Sequence, residues 1–207
     1  VTKDASGAIR VVPTAGMLGY GPRVVAGAGW KKKSLIAAVG DVTGDRKGDI
    51  IARAKGKKGK ARVYRTNGAG RILKGGVAST KAFRHANMIV GVGDLTKSDR
   101  DRRNDVVSRD RRTKALMLHR GLGGGRFAAP KVLRKSWRYT STSGATDITK
   151  DGIVDLIAVD SAGTLWLFPG KKGGKLGGRI RMGSLGGGVV GVYGVGDQTG
   201  DGRGDVA

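Results

Sequence analysis

The sequence predicts an all-β fold made of repeated four-stranded sheets. Three observations predict it: an aspartate motif recurs four times at nearly constant spacing, short apolar runs alternate with glycine-rich turns, and glycine is too frequent for long helices. The chain has 39 glycines among its 207 residues. Since a glycine inside a helix costs about 1 kcal/mol relative to alanine, this composition favours strands joined by tight turns.

The aspartate motif sets the repeat length. Its copies are GDVTGDRKGD (40–49), GDLTKSDRDRRND (93–105), TDITKDGIVD (146–155) and GDQTGDGRGD (196–205). The first aspartates, Asp41, Asp94, Asp147 and Asp197, are 53, 53 and 50 residues apart. A fixed period of this length is typical of propellers and other repeat arrays.

The same order of strands and turns follows each motif. In the third repeat, an apolar run after the last aspartate (156–159) is followed by a polar turn, a second run (165–168) and a glycine-rich turn. A third and a fourth run then lead into the next motif. Four short strands of this kind predict one propeller blade of about 52 residues.

The repeats predict one β-propeller domain over residues 1–207. Its blades divide near Asp41, Asp94, Asp147 and Asp197, and its first and last strands share one blade. Three assemblies remain open: a four-bladed ring, part of a larger ring, or a homodimer that completes a larger ring. The chain begins at Val1 and shows no signal peptide, which is typical of a processed or excised segment.

The motif also resembles a known repeat family. The pattern D-x-T-G-D-x-x-x-D before an apolar strand, together with GGGRFAAP at 123–130, resembles the FG-GAP/VCBS repeats over essentially the whole chain. The resemblance implies an integrin-like propeller with calcium in its inter-strand loops, at the cell surface or secreted. The chain has fewer repeats than is usual in that family, and its surface is strongly basic.

The loops are predicted to bind structural calcium. Calcium takes about six to eight hard oxygen ligands, and each loop offers oxygens at alternate positions. The alternative is that the aspartates bind backbone N–H groups of their own turns. The candidate ligands, loop by loop, are Asp41, Thr43, Asp45, the Lys47 carbonyl and Asp49; Asp94, Thr96, Asp101, the Arg103 carbonyl and Asp105; Asp147, Thr149, Asp151, the Ile153 carbonyl and Asp155; and Asp197, Thr199, Asp201, the Arg203 carbonyl and Asp205.

The charge of the chain predicts attraction to polyanions. The formal net charge is +24, and the chain contains no glutamate. Nucleic acid, acidic glycans and cell-wall polymers are candidate partners. The absence of cysteine excludes disulfides and thiolate metal sites. No run approaches the ~18 apolar residues of a membrane span, so membrane insertion is not expected.

One repeated position suggests ligand binding. An aromatic residue followed by a base lies 10 or 11 residues before three of the motif aspartates. An aromatic face beside a cation suits stacking on a sugar and contact with an anionic group. The alternative is that the rings pack between blades. The pairs are Trp30 with Lys31, Phe83 with Arg84, and Trp137 with Arg138.

Enzymatic activity is not expected. The two histidines, His85 and His119, lie at non-equivalent repeat positions, and the glycine runs do not precede helices as nucleotide-binding loops do. The sequence therefore predicts a non-catalytic extracellular module that binds an anionic polymer or glycan and attaches to a cell wall or surface. A protein–protein scaffold and a non-specific nucleic-acid binder are the alternatives.

Overall fold

The computed structural model describes residues 2–11, 24–56, 59–97, 103–186, 191–197 and 199–207. Every regular element in these ranges is a β-strand, so none of them is a helix that could span a membrane. All the strand pairs are antiparallel (Thr2 with Arg10, for example). The all-β class predicted from the sequence is confirmed.

The first two sheets follow chain order. The first sheet has three strands, β1 (Thr2–Lys3), β2 (Ile9–Val11) and β3 (Val24–Gly27). The second sheet has four strands, β4 (Lys33–Gly40), β5 (Asp49–Ala54), β6 (Ala61–Tyr64) and β7 (Ala78–Thr80). In both sheets each strand pairs with the next one in sequence.

The next two sheets share one plan, in which a small hairpin precedes the last strand. The third sheet contains β8 (Ala86–Gly93), β9 (Asp105–Asp110), β10 (Leu116–His119) and β13 (Lys131–Arg134), with the hairpin β11 (Gly121–Gly123) and β12 (Arg126–Phe127). The fourth contains β14 (Ser141–Thr146), β15 (Asp155–Val159), β16 (Thr164–Phe168) and β19 (Ile180–Ser184), with the hairpin β17 (Gly170–Lys171) and β18 (Lys175–Leu176). A fifth sheet pairs β20 (Gly194–Gly196) with β21 (Asp205–Val206).

The second strand of each four-stranded sheet is its buried centre. β5, β9 and β15 each begin at the last aspartate of a motif and are buried over most of their length. A strand covered on both faces reads as a continuous apolar run rather than an alternating one. This explains the runs that follow the motifs in the sequence.

The sheets pack on one another through their first strands. A Cβ atom on Gly91 would lie 2.6 Å from Cα of Val39, and one on Gly144 would lie 2.7 Å from Cγ1 of Val92. A Cβ atom on Gly194 would lie 3.0 Å from the Gly144 carbonyl oxygen. Strands β4, β8, β14 and β20 therefore lie side by side in chain order, and glycine permits the close approach.

The hydrophobic core lies between consecutive sheets. Ile9, Ala26 and Trp30 pack with Ala52 between the first and second sheets. Three further clusters fill the spaces between the second and third, third and fourth, and fourth and fifth sheets. Because burying one large apolar side chain contributes about 1.5–3 kcal/mol, each sheet depends on its neighbours for stability.

Cations near the ends of β1, β5 and β9 also tie consecutive sheets together. At equivalent positions, a basic side chain donates to a backbone carbonyl just before or at the start of the next sheet. The bonds are Lys3 Nζ to Lys33 O at 2.9 Å, Arg53 Nη2 to Arg84 O at 3.2 Å, and Arg109 Nη1 to Tyr139 O at 2.9 Å. Burial lowers the pKa of Arg53, which also feels the charge of Arg111.

Candidate functional site

The first aspartate of each motif closes its own loop. The Asp41 carboxylate accepts backbone N–H bonds from Gly44 at 2.5 Å, Asp45 at 3.2 Å and Arg46 at 2.6 Å. In the fourth loop, Asp197 accepts the same three bonds at 2.7, 3.1 and 2.8 Å. The carboxylate therefore acts as the internal cap of a tight turn.

The last aspartate ties the loop to the following hairpin. Asp155 Oδ2 accepts N–H bonds from Ile148 at 2.9 Å and Thr149 at 3.0 Å, while Oδ1 accepts one from Gly170 at 2.8 Å. Asp105 makes the equivalent bonds to Thr96 N and Gly121 N, both at 2.9 Å. The buried aspartate thus joins two segments that are distant in sequence.

The recurring threonine serves the last aspartate. In the third and fourth loops its hydroxyl lies 3.5 and 3.4 Å from Oδ1 of Asp155 and Asp205, respectively. Its backbone N–H donates to the last aspartate in all four loops, at 2.8–3.0 Å. The backbone bond would form with any residue that has an N–H group, so among the described hydrogen bonds the threonine hydroxyl contributes to holding the last aspartate only in the third and fourth loops.

Burial changes the acidity of these groups. Desolvation raises the pKa of Asp105 to about 6 and also raises that of Asp49. The exposed Asp151 behaves in the opposite way, because the N–H of Ile153 holds its pKa below the ordinary value. Asp49 and Asp105 are therefore costly to ionise in the folded chain.

The predicted calcium sites have no preformed cage in the described loops. Within the described ranges, no three acidic or histidine side chains converge in a way that could hold a metal ion. The carboxylate oxygens of Asp41 and Asp197 already accept backbone N–H bonds from their own loops. This arrangement is the alternative to calcium binding that the sequence offered. In the first loop, Thr43 Oγ1 and Asp49 Oδ1 are buried without a hydrogen-bond partner. Asp101 lies outside the described residues, and calcium binding stays a prediction.

The repeated aromatic residues are buried, which corrects the expectation of an open stacking face. Trp30, Phe83 and Trp137 are 7%, 0% and 1% exposed. Each packs on the last residue of the third strand in the next sheet: Trp30 on Tyr64, Phe83 on His119, and Trp137 on Phe168, with ring centroids 4.8, 4.3 and 4.6 Å apart. The bases that follow them, Lys31, Arg84 and Arg138, are exposed.

An open cleft adjoins the first of these aromatic pairs. It has a volume of about 950 Å³ and lies between β3 and the segment after β6. Lys33 Nζ lies 5.7 Å from the centre of the Tyr64 ring. We call this the first cleft; the residues that define it are Trp30, Lys33, Tyr64, Arg71, Ile72 and Lys74.

A second cleft occupies the equivalent position between the third and fourth sheets. Its volume is about 250 Å³. Tyr139 packs against Trp137 and Phe168 with centroid distances of 4.6 and 5.3 Å. Both clefts therefore combine a wall of packed aromatic rings with basic side chains. The residues that define the second cleft are Arg134, Trp137, Tyr139, Phe168 and Arg179.

Several cleft residues were missed in the sequence. Tyr64, His119 and Phe168 end equivalent strands, so an alignment of the repeats by strand could have found the aromatic partner position. Trp166 is half-buried, and the Arg179 guanidinium lies 4.1 Å from its ring centre.

His119 is a packing residue. It is 1% exposed, and its Nε2 atom lies 2.8 Å from Ser108 Oγ. Burial lowers its pKa to about 4, so the imidazole is neutral at ordinary pH. Because solvent and substrate cannot reach the ring, it is poorly placed for proton transfer.

Comparison with known proteins gives a likeness of fold. No protein-family model and no curated protein matches the chain. Among solved structures, it is similar to an Agrocybe aegerita lectin studied for specific recognition of non-reducing terminal N-acetylglucosamine. The TM-score is 0.57 at 22% identity, and the match covers 96% of this chain and 54% of the lectin chain. The chain thus spans about half of that lectin's length, and the likeness concerns the fold alone.

Proposed function

We propose that the chain is a non-catalytic, carbohydrate-binding β-propeller module that holds sugar residues in its inter-sheet clefts. One observation carries the proposal: two clefts occur at equivalent positions of the repeat, and each combines packed aromatic rings with basic side chains. Repetition of a site along a repeat array suits a polymer of repeating sugars, because several weak contacts then act together.

The chemistry of the first cleft suits a glycan. Tyr64 and Ile72 supply apolar surface for the C–H face of a sugar ring, while Lys33, Arg71 and Lys74 supply donors for hydroxyl and acidic oxygens. The lectin of similar fold recognises a sugar, which supports this class of ligand. The basic side chains favour glycans that also carry negative charge.

The ring architecture belongs to the same proposal. The first strands of successive sheets lie side by side, which is the arrangement expected around the axis of a propeller, and the loops resemble FG-GAP/VCBS repeats. We infer that the sheets are blades, either of a four-bladed ring or of a larger ring that a second copy completes. A secreted or cell-surface location, with attachment to a wall polymer, fits such a module.

Glycan binding to first-cleft variants tests the proposal. The wild type is titrated with a polyuronate, with a chito-oligosaccharide and with duplex DNA. The cleft variant is Lys33→Ala/Arg71→Ala/Lys74→Ala. The matched control, Lys60→Ala/Arg112→Ala/Lys135→Ala, removes three exposed charges elsewhere. We expect the cleft variant to bind glycan at least about tenfold more weakly than this control, since the loss of even one charged hydrogen bond costs about 1.5–3 kcal/mol.

Other results would favour the competing functions. Equal losses in both triple variants, with DNA bound as tightly as glycan, would indicate non-specific polyanion binding driven by the net charge of +24. Failure of the wild type to bind any glycan would sink the proposal and leave a protein–protein scaffold as the better hypothesis.

A further inference from the structure

Arg179 is held in place at the mouth of the second cleft. Its guanidinium carbon lies 4.1 Å from the centre of the Trp166 ring, and Nη1 donates to the Tyr139 hydroxyl at 3.3 Å. Trp166 is itself fixed, because its Nε1 donates to Asp160 Oδ2 at 2.8 Å. Asp160 also caps its own turn through Ala162 N and Thr164 N. The arginine therefore has a defined orientation although it is exposed.

Most N–H donors of Arg179 have no partner among the described residues. A guanidinium has five N–H donors, and the bond to Tyr139 uses one of them. The nearby Arg134 contrasts with it, because its donors bind the carbonyl oxygens of Leu133, Leu176 and Gly177. Within the described part of the chain, Arg179 forms no ion pair with a carboxylate. The second cleft therefore presents one oriented cation that has no counter-ion among the described residues.

The contact between Arg179 and Trp166 is particular to the fourth sheet. By the strand pairing, the positions equivalent to Trp166 and Arg179 hold Arg62 and Val77 in the second sheet, and Met117 and Pro130 in the third. The ring supports the guanidinium by a cation–π contact, which leaves the N–H donors that do not bind Tyr139 available to a ligand. A planar edge of this kind binds the paired oxygens of a carboxylate or a sulfate in bidentate geometry.

We propose that Arg179 binds the acidic group of an anionic sugar whose ring lies in the second cleft. The inference rests on the proposed carbohydrate-binding function and specifies its ligand as an acidic glycan, bearing either a carboxylate or a sulfate. The half-buried Tyr139 provides apolar surface for the ring, backed by the buried Phe168, and Arg179 provides the selectivity for charge.

Calorimetric titration of Arg179→Ala tests this assignment with three probes: an oligogalacturonate, a sulfated oligosaccharide and a neutral chito-oligosaccharide. Arg62→Ala is the matched control. It also removes one exposed arginine, but from β6 of the second sheet, away from the second cleft. We expect Arg179→Ala to weaken binding of the preferred acidic probe by about tenfold or more, to leave the neutral probe unchanged, and to preserve the melting temperature. The acidic probe that loses more identifies carboxylate or sulfate as the group bound.

A failure of the Arg179 assignment can be distinguished from a failure of the proposed function. If Arg179→Ala and Arg62→Ala weaken the acidic probes equally, or if Arg179→Ala weakens the neutral probe as much as the acidic ones, this inference is overturned while glycan binding stands. If the wild type binds none of the three probes, the proposed function falls and the assignment of Arg179 falls with it. Arg179→Lys separates geometry from charge: a loss close to that of Arg179→Ala supports bidentate recognition, and full retention contradicts it.

Discussion

Left-handed backbone recurs at one residue position of all four aspartate loops. Gly44, Lys97, Lys150 and Gly200 have φ values of 89°, 30°, 59° and 77°. A non-glycine residue in this region costs about 1–2 kcal/mol. The two lysines gain a compensating contact, because Lys97 Nζ donates to Gly152 O and Lys150 Nζ donates to Asp201 O at 2.7 Å. Each lysine thereby connects its loop to the next loop along the chain.

Arg46 has the same strain without a comparable side-chain bond among the described contacts. Its φ is 63°, and glycine occupies the equivalent positions in the third and fourth loops, with φ of 79° at both Gly152 and Gly202. Arg46→Gly is therefore expected to raise the free energy of unfolding by about 1 kcal/mol. Urea denaturation measures the change, with Arg46→Ala as the control that removes the side chain but keeps the strain. A midpoint for Arg46→Gly no higher than that of Arg46→Ala would contradict the prediction.

At the scale of elements, consecutive loops meet through pairs of residues that are complementary in size. The residue before the first aspartate of one loop contacts the residue before the last aspartate of the next. A Cβ atom on Gly40 would lie 2.0 Å from Asn104 Nδ2, one on Gly93 3.2 Å from Val154 Cγ1, and one on Gly204 1.2 Å from Thr146 Oγ1. In every pair, one member is glycine. This explains why the third motif begins with threonine where the others have glycine.

The pair of Thr146 and Gly204 gives a sharp test of this junction. Gly204→Val places a side chain where the Thr146 hydroxyl lies, and overpacking of this kind costs about 1–3 kcal/mol. The double variant Thr146→Gly/Gly204→Val reproduces the Gly93 and Val154 junction and is expected to recover most of the lost stability. Thermal melting of the two single variants and the double variant provides the coupling energy. Additive effects, with no recovery in the double variant, would show that the junction does not depend on the size of its partners.

Two buried groups of the third sheet titrate with opposite effects on stability. Burial raises the pKa of Asp105 to about 6, so the folded chain binds more protons than the unfolded chain between about pH 4 and 6. The stabilisation from Asp105 is therefore lost as the pH rises through that interval. Burial lowers the pKa of His119 to about 4, so its contribution is lost as the pH falls from about 6.5 to 4. Each shift corresponds to about 3 kcal/mol, and the two largely cancel.

Removing the histidine should expose the effect of Asp105. Ser108→Ala/His119→Phe reproduces the Ala158 and Phe168 pair at the equivalent positions of the fourth sheet. The double variant is expected to become more stable than at neutral pH when acidified to about pH 4.5, while the wild type changes little. Urea titrations at about pH 4.5 and about pH 6.5 measure the difference. Parallel pH profiles for the two proteins would mean that His119 takes up no proton on unfolding, and hence that its pKa is not lowered in the folded chain.

The sequence predicted the elements better than their contacts. The apolar runs at 156–159 and 165–168 form β15 and β16, which each begin one residue earlier, because turn residues and a fixed period mark strand ends. The glycine-rich turns after β10 and β16 contain short hairpins that the pattern did not predict. The sequence also could not decide whether Trp30 and Trp137 are buried. The pattern of an aromatic residue followed by a base is the same whether the ring faces solvent or packs on the next sheet.

At the scale of the whole molecule, the positive charge is separate from the forces that hold the fold together. The ties between sheets run from cations to backbone carbonyls, such as Arg109 to Tyr139, and the aspartates are occupied by N–H groups of their own loops. Neither kind of bond neutralises the net charge of +24. The fold can therefore keep a strongly basic surface available for a polyanion, and association with such a partner is expected to weaken steeply as salt screens it.

The remaining question at this scale is whether the repeat array needs calcium. The sequence pattern predicts structural calcium in four loops, whereas the structure shows aspartates such as Asp41 and Asp197 already bonded to three N–H groups each. Because these bonds close the loops without a cation, we expect a chelator to leave the melting temperature unchanged. We also expect it to stay within about 2 °C when millimolar calcium is added. A ligand bound to the folded chain and present at 100 times its Kd would instead raise the free energy of unfolding by about 2.7 kcal/mol. Magnesium at equal concentration is the control for ionic strength.

A clear rise with calcium but not with magnesium would instead establish the sequence-based prediction. The first loop would then be the place to look, because Thr43 Oγ1 and Asp49 Oδ1 are buried there without a partner and a cation could satisfy both. The variant Asp45→Asn would show whether the ion binds in the first loop. The Asp45 carboxylate accepts a single N–H bond, from Lys47 at 3.0 Å. The substitution therefore removes a charge that a cation would need and leaves the N–H bonds to Asp41 intact. Loss of the calcium effect in this variant would assign the ion to the first loop, and its persistence would move the site to another loop.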